Sequence, residues 1–144
     1  MKKLAFALIV TALPLLGADK AMDIFGAKKA PKSKFPGEYA GTYYDDGKEI
    51  KYGLQIFALG DGKFRAMGYN GGLPGEGFDK GGKIEIVEGK LAKSKGDGER
   101  IIFQNDDEEA IADLKGGKLV GREDGKVVAR LKKVSRKNPV IGKK

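Results

Sequence analysis

The chain contains no cysteine, no histidine and no tryptophan. Without cysteine there is no disulfide framework, no thiol nucleophile and no thiolate-ligated zinc. Without histidine there is no Ser-His-Asp triad, no imidazole acid or base and no imidazole-bound metal. Carboxylates are left as the main catalytic candidates, and a binding role becomes the simpler reading. Only 8% of the residues are aromatic. No apolar run reaches the roughly 20 residues that a membrane-spanning helix needs. At 144 residues, the chain fits one small domain.

Glycine is abundant, with 23 residues. Much of it lies in recurrent turn dipeptides: Asp46-Gly47, Asp61-Gly62, Gly81-Gly82, Asp97-Gly98, Gly116-Gly117 and Asp124-Gly125. Such pairs supply the positive φ of primed hairpin turns. Between them lie short runs rich in Ile, Val, Phe and Tyr, which predict strands at 38–44, 49–59, 63–69, 83–88, 90–94, 99–104, 109–114, 118–122 and 126–134. Alternation predicts inward faces made by Leu54, Ile56 and Ala58, by Phe64, Ala66 and Gly68, and by Ile84 and Ile86. Ile101 and Phe103, then Ala110, Ala112 and Leu114, then Val127, Ala129 and Leu131 continue the series. The expectation is an all-β fold, a single antiparallel meander closed as a barrel or folded as a sandwich.

The formal charge of +8 invites a nucleic-acid reading. Counted by segment, residues 1–18 carry +2, 19–35 carry +3, 36–125 carry −5 and 126–144 carry +8. The body is therefore mildly acidic and the positive excess lies at the ends, without interleaved aromatics in the last 19 residues. No nucleic-acid partner is expected. Lys2 and Lys3 before the apolar run Leu4–Leu16, with Gly17-Ala18 after it, describe a secretory signal peptide over 1–18. The protein is expected to be exported, periplasmic or secreted. Residues 19–37 read as a flexible leader rich in Lys, Ala and Pro, 38–134 as the β-domain and 135–144 as a basic tail. Ile24 and Phe25 are the leader residues suited to dock on the domain.

The longest interruption of the strand pattern is Asn70–Lys80, preceded by Tyr69. Its glycines, Gly71 and Gly72 among them, would let backbone amides approach a ligand. Tyr69 and Phe78 would stack on a sugar ring, and Asn70 and Asp79 would hydrogen-bond its hydroxyls. The plainer alternative is a long hairpin connection with Leu73 and Phe78 tucked into the barrel end. Tyr39, Tyr43, Tyr44 and Tyr52 cluster in the first hairpin. Tyr43 and Tyr44 must point to opposite faces, and ordinary sheet packing accounts for the group. Asp45-Asp46 and Asp106–Glu109 are acidic runs without the spacing of a calcium loop, and read as solvated turns. No cofactor and no metal is expected.

Two strings, GEYAGTYYDDGKEIKYGLQIFALGDGKFRAMGYNGGLPGEGFD (37–79) and VSRKNPVIGKK (134–144), carry a resemblance. They resemble the small β-rich domain that lies upstream of the 3-keto-disaccharide hydrolase domain in exported bacterial proteins. The Y-x-G-G-L-P-G-x-G-x-D loop is its most specific part. The resemblance implies an exported accessory domain associated with carbohydrate processing, touching a glycan or a sugar-processing enzyme. The chain ends at Lys144, where that family continues into its hydrolase domain, so a stand-alone accessory domain is expected and no active-site residue is inherited. Two other readings stand beside it. One is a hydrolase or lyase for sugar derivatives working through carboxylates such as Glu76 and Asp79. The other is a structural protein held to the anionic cell envelope by residues 132–144.

Overall fold

The computed structural model describes residues 24–142 except Lys95 and Asp106; the signal peptide expected over 1–18 lies outside the described residues. Eight antiparallel strands form a closed barrel in which every neighbour in the sheet is a neighbour in sequence. They are β1 (Gly37–Asp45), β2 (Lys48–Gly60), β3 (Lys63–Asn70), β4 (Ile84–Ala92), β5 (Glu99–Asn105), β6 (Glu108–Lys115), β7 (Lys118–Glu123) and β8 (Lys126–Val134). Closure comes from β1 pairing with β8, in a register that places Glu38 opposite Val134 and Tyr43 opposite Ala129. Of the two expected architectures, the barrel is the one observed, and closure leaves the meander without a free edge at its ends.

Asp46-Gly47, Asp61-Gly62, Gly116-Gly117 and Asp124-Gly125 have positive φ at both positions, the signature of two-residue primed turns. Gly81-Gly82 and Asp97-Gly98 do not; they lie in longer connections. The two strands expected at 83–88 and 90–94 are one strand, β4, which runs through Gly89. A Cβ at Gly89 would lie 2.5 Å from the Ile102 carbonyl oxygen and 2.6 Å from Phe103 Cδ1. Glycine there admits β5 rather than ending the strand.

The inward faces follow the alternation except on β4 and at the start of β8, where a register shift between Gly121 and Arg122 sets Val127 opposite Arg122 and leaves it out of the core. The barrel core holds Tyr39, Tyr52, Ile56, Phe64, Ile101, Phe103, Leu114, Leu119 and Leu131. On β4, however, Val87 packs on this core, while Ile84 belongs to a second cluster and Ile86 is exposed. The expected core pair Ile84 and Ile86 therefore faces outward. The alternation is misleading because part of the barrel's outer wall is itself covered. Met67, Tyr69, Leu73 and Ile84 are buried there, with Phe78 and Ile141 packed against them. A strand buried on both faces no longer shows which apolar set points inward.

The segment expected to be a flexible leader is packed from Phe25 onward. Phe25 is buried, its carbonyl accepts the Ala58 N–H at 2.8 Å, and its ring lies 5.2 Å from that of Phe57. After a single 3-10 turn, Ala27–Lys29, the chain places Phe35 fully buried against Phe64, at 5.9 Å between ring centroids. The basic tail is packed as well. Arg136 Nε donates to Glu38 Oε1 at 2.7 Å and Arg136 Nη1 to the Pro74 carbonyl at 2.7 Å. Gln55 Nε2 donates to the Val140 carbonyl at 2.8 Å, and Gly142 N–H to the Tyr69 hydroxyl at 3.1 Å.

Candidate functional site

The glycine-rich loop does not present its aromatics to solvent. Tyr69 is fully buried at the end of β3. Its hydroxyl donates to Gln55 Oε1 and accepts from Gly142 N–H. Phe78 is half-buried and packs edge-on against Tyr69, at 5.0 Å between centroids. A ring enclosed in this way has no free face for a sugar, which corrects the stacking role expected of Tyr69. The glycines serve the loop itself. Gly71 N–H donates to the Lys51 carbonyl, and a Cβ on Gly71 would lie 2.6 Å from the Gly77 carbonyl oxygen. A Cβ on Gly72 would lie 2.5 Å from that of Glu76. Both have positive φ, so the two arms of the loop touch only because these positions lack side chains. Asn70 and Asp79 are exposed, and Asp79 Oδ1 accepts the Gly81 N–H in a local turn. The plainer alternative, a hairpin connection with Leu73 and Phe78 tucked in, describes what is seen, with the outer wall of the barrel as the receiving surface. The tail also spends cations internally. Arg136 pairs with Glu38, and Lys133 donates to the Lys34 carbonyl and sits 5.7 Å from the Tyr39 ring centroid.

A different site emerges from the strand register. The turns at Asp46-Gly47, Asp107 and Asp124-Gly125 and the start of β4 all lie at one end of the barrel. The opposite end is stoppered by Phe35, Tyr39 and Phe64, all buried, with the Tyr39 hydroxyl donating to the Phe35 carbonyl at 2.8 Å. At the turn-rich end the interior is unfilled, leaving a cavity of about 290 Å³. Its walls include the rings of Tyr43, Tyr52 and Phe103, with Ala66 and Gly68 between them. Six acidic residues line it, Glu85, Asp107, Glu108, Glu109, Glu123 and Asp124, of which Glu109 also accepts from Gln104 Nε2 at 3.3 Å, and no Lys or Arg lines it. The ladder between β4 and β5 covers only Gly89–Ala92 on β4, so the wall near Glu85 and Val87 has no β5 partner.

Two features mark this end as more than unfilled space. Tyr43 and Tyr52 pack at 5.1 Å between ring centroids. Tyr52 is only 7% exposed, and its hydroxyl, lying over Gly68, makes none of the hydrogen bonds found among the described residues. A Cβ at Gly68 would collide with that hydroxyl, so glycine makes the room for it. The hydroxyl therefore presents a donor and an acceptor to whatever fills the cavity. The carboxylates also crowd one another. Burial, then Glu108, Glu85 and Asp124, push the Glu123 carboxyl above its ordinary range. Burial, then Glu123, Glu85, Asp45 and Glu108, push the Tyr43 phenol up. The Tyr52 phenol is raised by burial, with Glu85, Tyr43 and Glu123 adding to it.

A wider depression of about 570 Å³ lies on the outer wall near Lys63, Lys90 and Leu91. Two of its polar side chains are paired, Glu88 with Arg65 and Gln104 with Glu109. Sequence reasoning treated Asp45-Asp46 and Asp106–Glu109 as separate solvated turns. The available signal was their spacing along a meander: turns at alternate connections fall at the same end of a barrel.

No family model matches the chain, and no curated protein or solved structure matches it.

Proposed function

We propose that the protein is an exported, non-catalytic binding module that holds a small organic ligand in the open end of its barrel. The observation that carries this reading is Tyr52, a side chain only 7% exposed whose hydroxyl opens on a cavity walled by aromatic rings and makes no hydrogen bond to the described residues. Eight strands make a barrel just wide enough to be filled by side chains or to hold one small ligand. Here one half is filled and the other is not. Among the described residues the cavity lining contains no Ser, Thr or Lys that a carboxylate would activate as a nucleophile. A binding role accounts for the lining without a reaction. The resemblance at 37–79 and 134–144 supports a sugar derivative as the ligand and an accessory role beside a sugar-processing enzyme.

The test is titration of the folded protein with small sugars and aromatic solutes, followed by tyrosine fluorescence and amide chemical shifts. Saturable shifts around Tyr43, Tyr52 and Phe103, weakened by Tyr52→Phe, are expected. No shifts with any solute would remove the reading. Export rests on Lys2, Lys3 and the run Leu4–Leu16. It predicts a mature product beginning near Asp19 and its loss from the envelope fraction when Leu8 becomes Arg.

A further inference from the structure

We infer that the ligand held at the open end is an organic cation, a small molecule whose ammonium or guanidinium group meets the carboxylate rim while its body lies against Tyr43 and Tyr52. This inference rests on the binding reading given above and adds the charge of the ligand to it.

Six acidic residues and no basic residue line the cavity in a chain whose formal charge is +8. The cations are plentiful elsewhere, yet Glu85, Glu108 and Glu123 form no ion pair with Lys or Arg among the described residues. Outside the cavity the pattern differs: Glu38 is paired with Arg136, Glu88 with Arg65 and Asp113 with both Arg100 and Arg122. The Glu123 carboxyl is displaced upward, first by burial and then by the charges of Glu108, Glu85 and Asp124. A bound cation removes that repulsion and takes the place of the missing partner.

The second, independent observation is Tyr52. Its side chain is 7% exposed, and its hydroxyl, lying over Gly68 and opening on the cavity, makes no hydrogen bond to the described residues and offers an acceptor to an N–H donor. Beside it the Tyr43 ring adds the π surface on which organic cations are held. No group of three or more acidic side chains among the described residues is close enough to hold a metal ion. The charge is spread around a mouth with an aromatic wall, which suits a large soft cation better than a compact ion demanding six to eight oxygens.

The experiment uses the full folded chain and two pairs of probes that differ in charge but little in shape. They are phenethylammonium against 2-phenylethanol, and glucosamine against glucose, titrated calorimetrically at pH 7 in low salt. The expected result is binding of at least one ammonium about tenfold tighter than its neutral partner, the size two partly exposed ion pairs supply. Added salt should weaken it, and Glu85→Gln with Glu123→Gln should abolish the preference. Those substitutions relieve repulsion, so the variant should melt no lower than the parent, and a thermal melt checks that it is folded. Equal binding of charged and neutral partners would overturn the cation inference and leave the binding reading in place. Competition of the ammonium by micromolar calcium would also overturn it, by showing a metal site. Failure of all four probes, with no shifts at Tyr43 or Tyr52, would count against both.

Discussion

At one end of the barrel the strands close over Phe35, Tyr39, Phe64, Ile101, Leu114 and Leu119, and the Tyr39 hydroxyl is held by the Phe35 carbonyl. At the other end the same eight strands carry Tyr43, Gly68, Glu85, Ala110 and Glu123, and the interior stays open. The backbone scaffold is common to both ends; the side chains differ. Large apolar residues and a segment outside the barrel fill one half, while in the other small residues such as Ala66, Gly68 and Ala110 leave room between the rings, and Glu85, Glu108 and Glu123 make no ion pair among the described residues. The lesson is a division of labour. Stability is concentrated where the leader plugs the barrel, and the open half is free to carry charges that oppose folding.

The largest test of that division is Phe35→Ala. Removing a fully buried ring should cost about 3–5 kcal/mol, read as a fall in the urea midpoint. A loss no larger than that of an exposed substitution would show that the plug carries little and that the ends are equivalent.

Next comes Arg136→Ala, which leaves the Glu38 carboxylate, 2% exposed, without its cation. The cost should be about 3 kcal/mol, and Glu38→Gln combined with Arg136→Met should recover much of it. If the double variant is as unstable as the single one, the orphaned charge is not the cause.

A finer test compares two phenols. Tyr39→Phe removes a buried hydroxyl that donates to the Phe35 carbonyl and should cost about 1 kcal/mol. Tyr52→Phe removes a hydroxyl with no protein partner and should change stability by less than about 0.5 kcal/mol while weakening ligand binding. Equal costs in chemical denaturation would erase the distinction between the ends.

The smallest effect is at Glu123. Its pKa is raised in the folded state, first by burial and then by Glu108, Glu85 and Asp124, with the Tyr43 phenol also facing the group. The folded protein therefore binds this proton more readily than the unfolded chain. Ionisation weakens the fold at neutral pH, and the penalty fades as pH falls through the folded pKa. Because the side chain is exposed, Glu123→Gln should stabilise by only a few tenths of a kcal/mol at pH 7, about the size of one exposed charge interaction. The gain should shrink toward pH 5. A gain that grows on acidification would invert the argument.

Much of the barrel was legible in the sequence because its turns declare themselves. Asp46-Gly47, Asp61-Gly62, Gly116-Gly117 and Asp124-Gly125 demand positive φ, and the alternation around them assigns most inward faces. β4 was misread because Gly89 looks like a break and because Ile84 is apolar for a reason outside the barrel. The loop at 69–79 was legible as a break in the strand pattern, but its role was not. Whether a glycine faces a ligand or its own loop depends on contacts such as Gly71 with Gly77, which composition does not encode. The open end was invisible for a related reason. Tyr52, Glu85, Glu108 and Glu123 come from four strands, and only the register brings them to one mouth.

The seam between β1 and β8 has a consequence for the order of synthesis. The first strand finds its outer partner only when the last strand has been made, and residues 136–142, which fasten Glu38, Gln55 and Tyr69 from outside, emerge later still. Until then Gly37–Asp45 has one free side and the outer wall over Met67 and Tyr69 lacks its tail cover. Non-local closure of this kind is slow. Until Lys126–Val134 has been made, the other seven strands form an open sheet rather than a barrel, with Gly37–Asp45 as one unpaired edge.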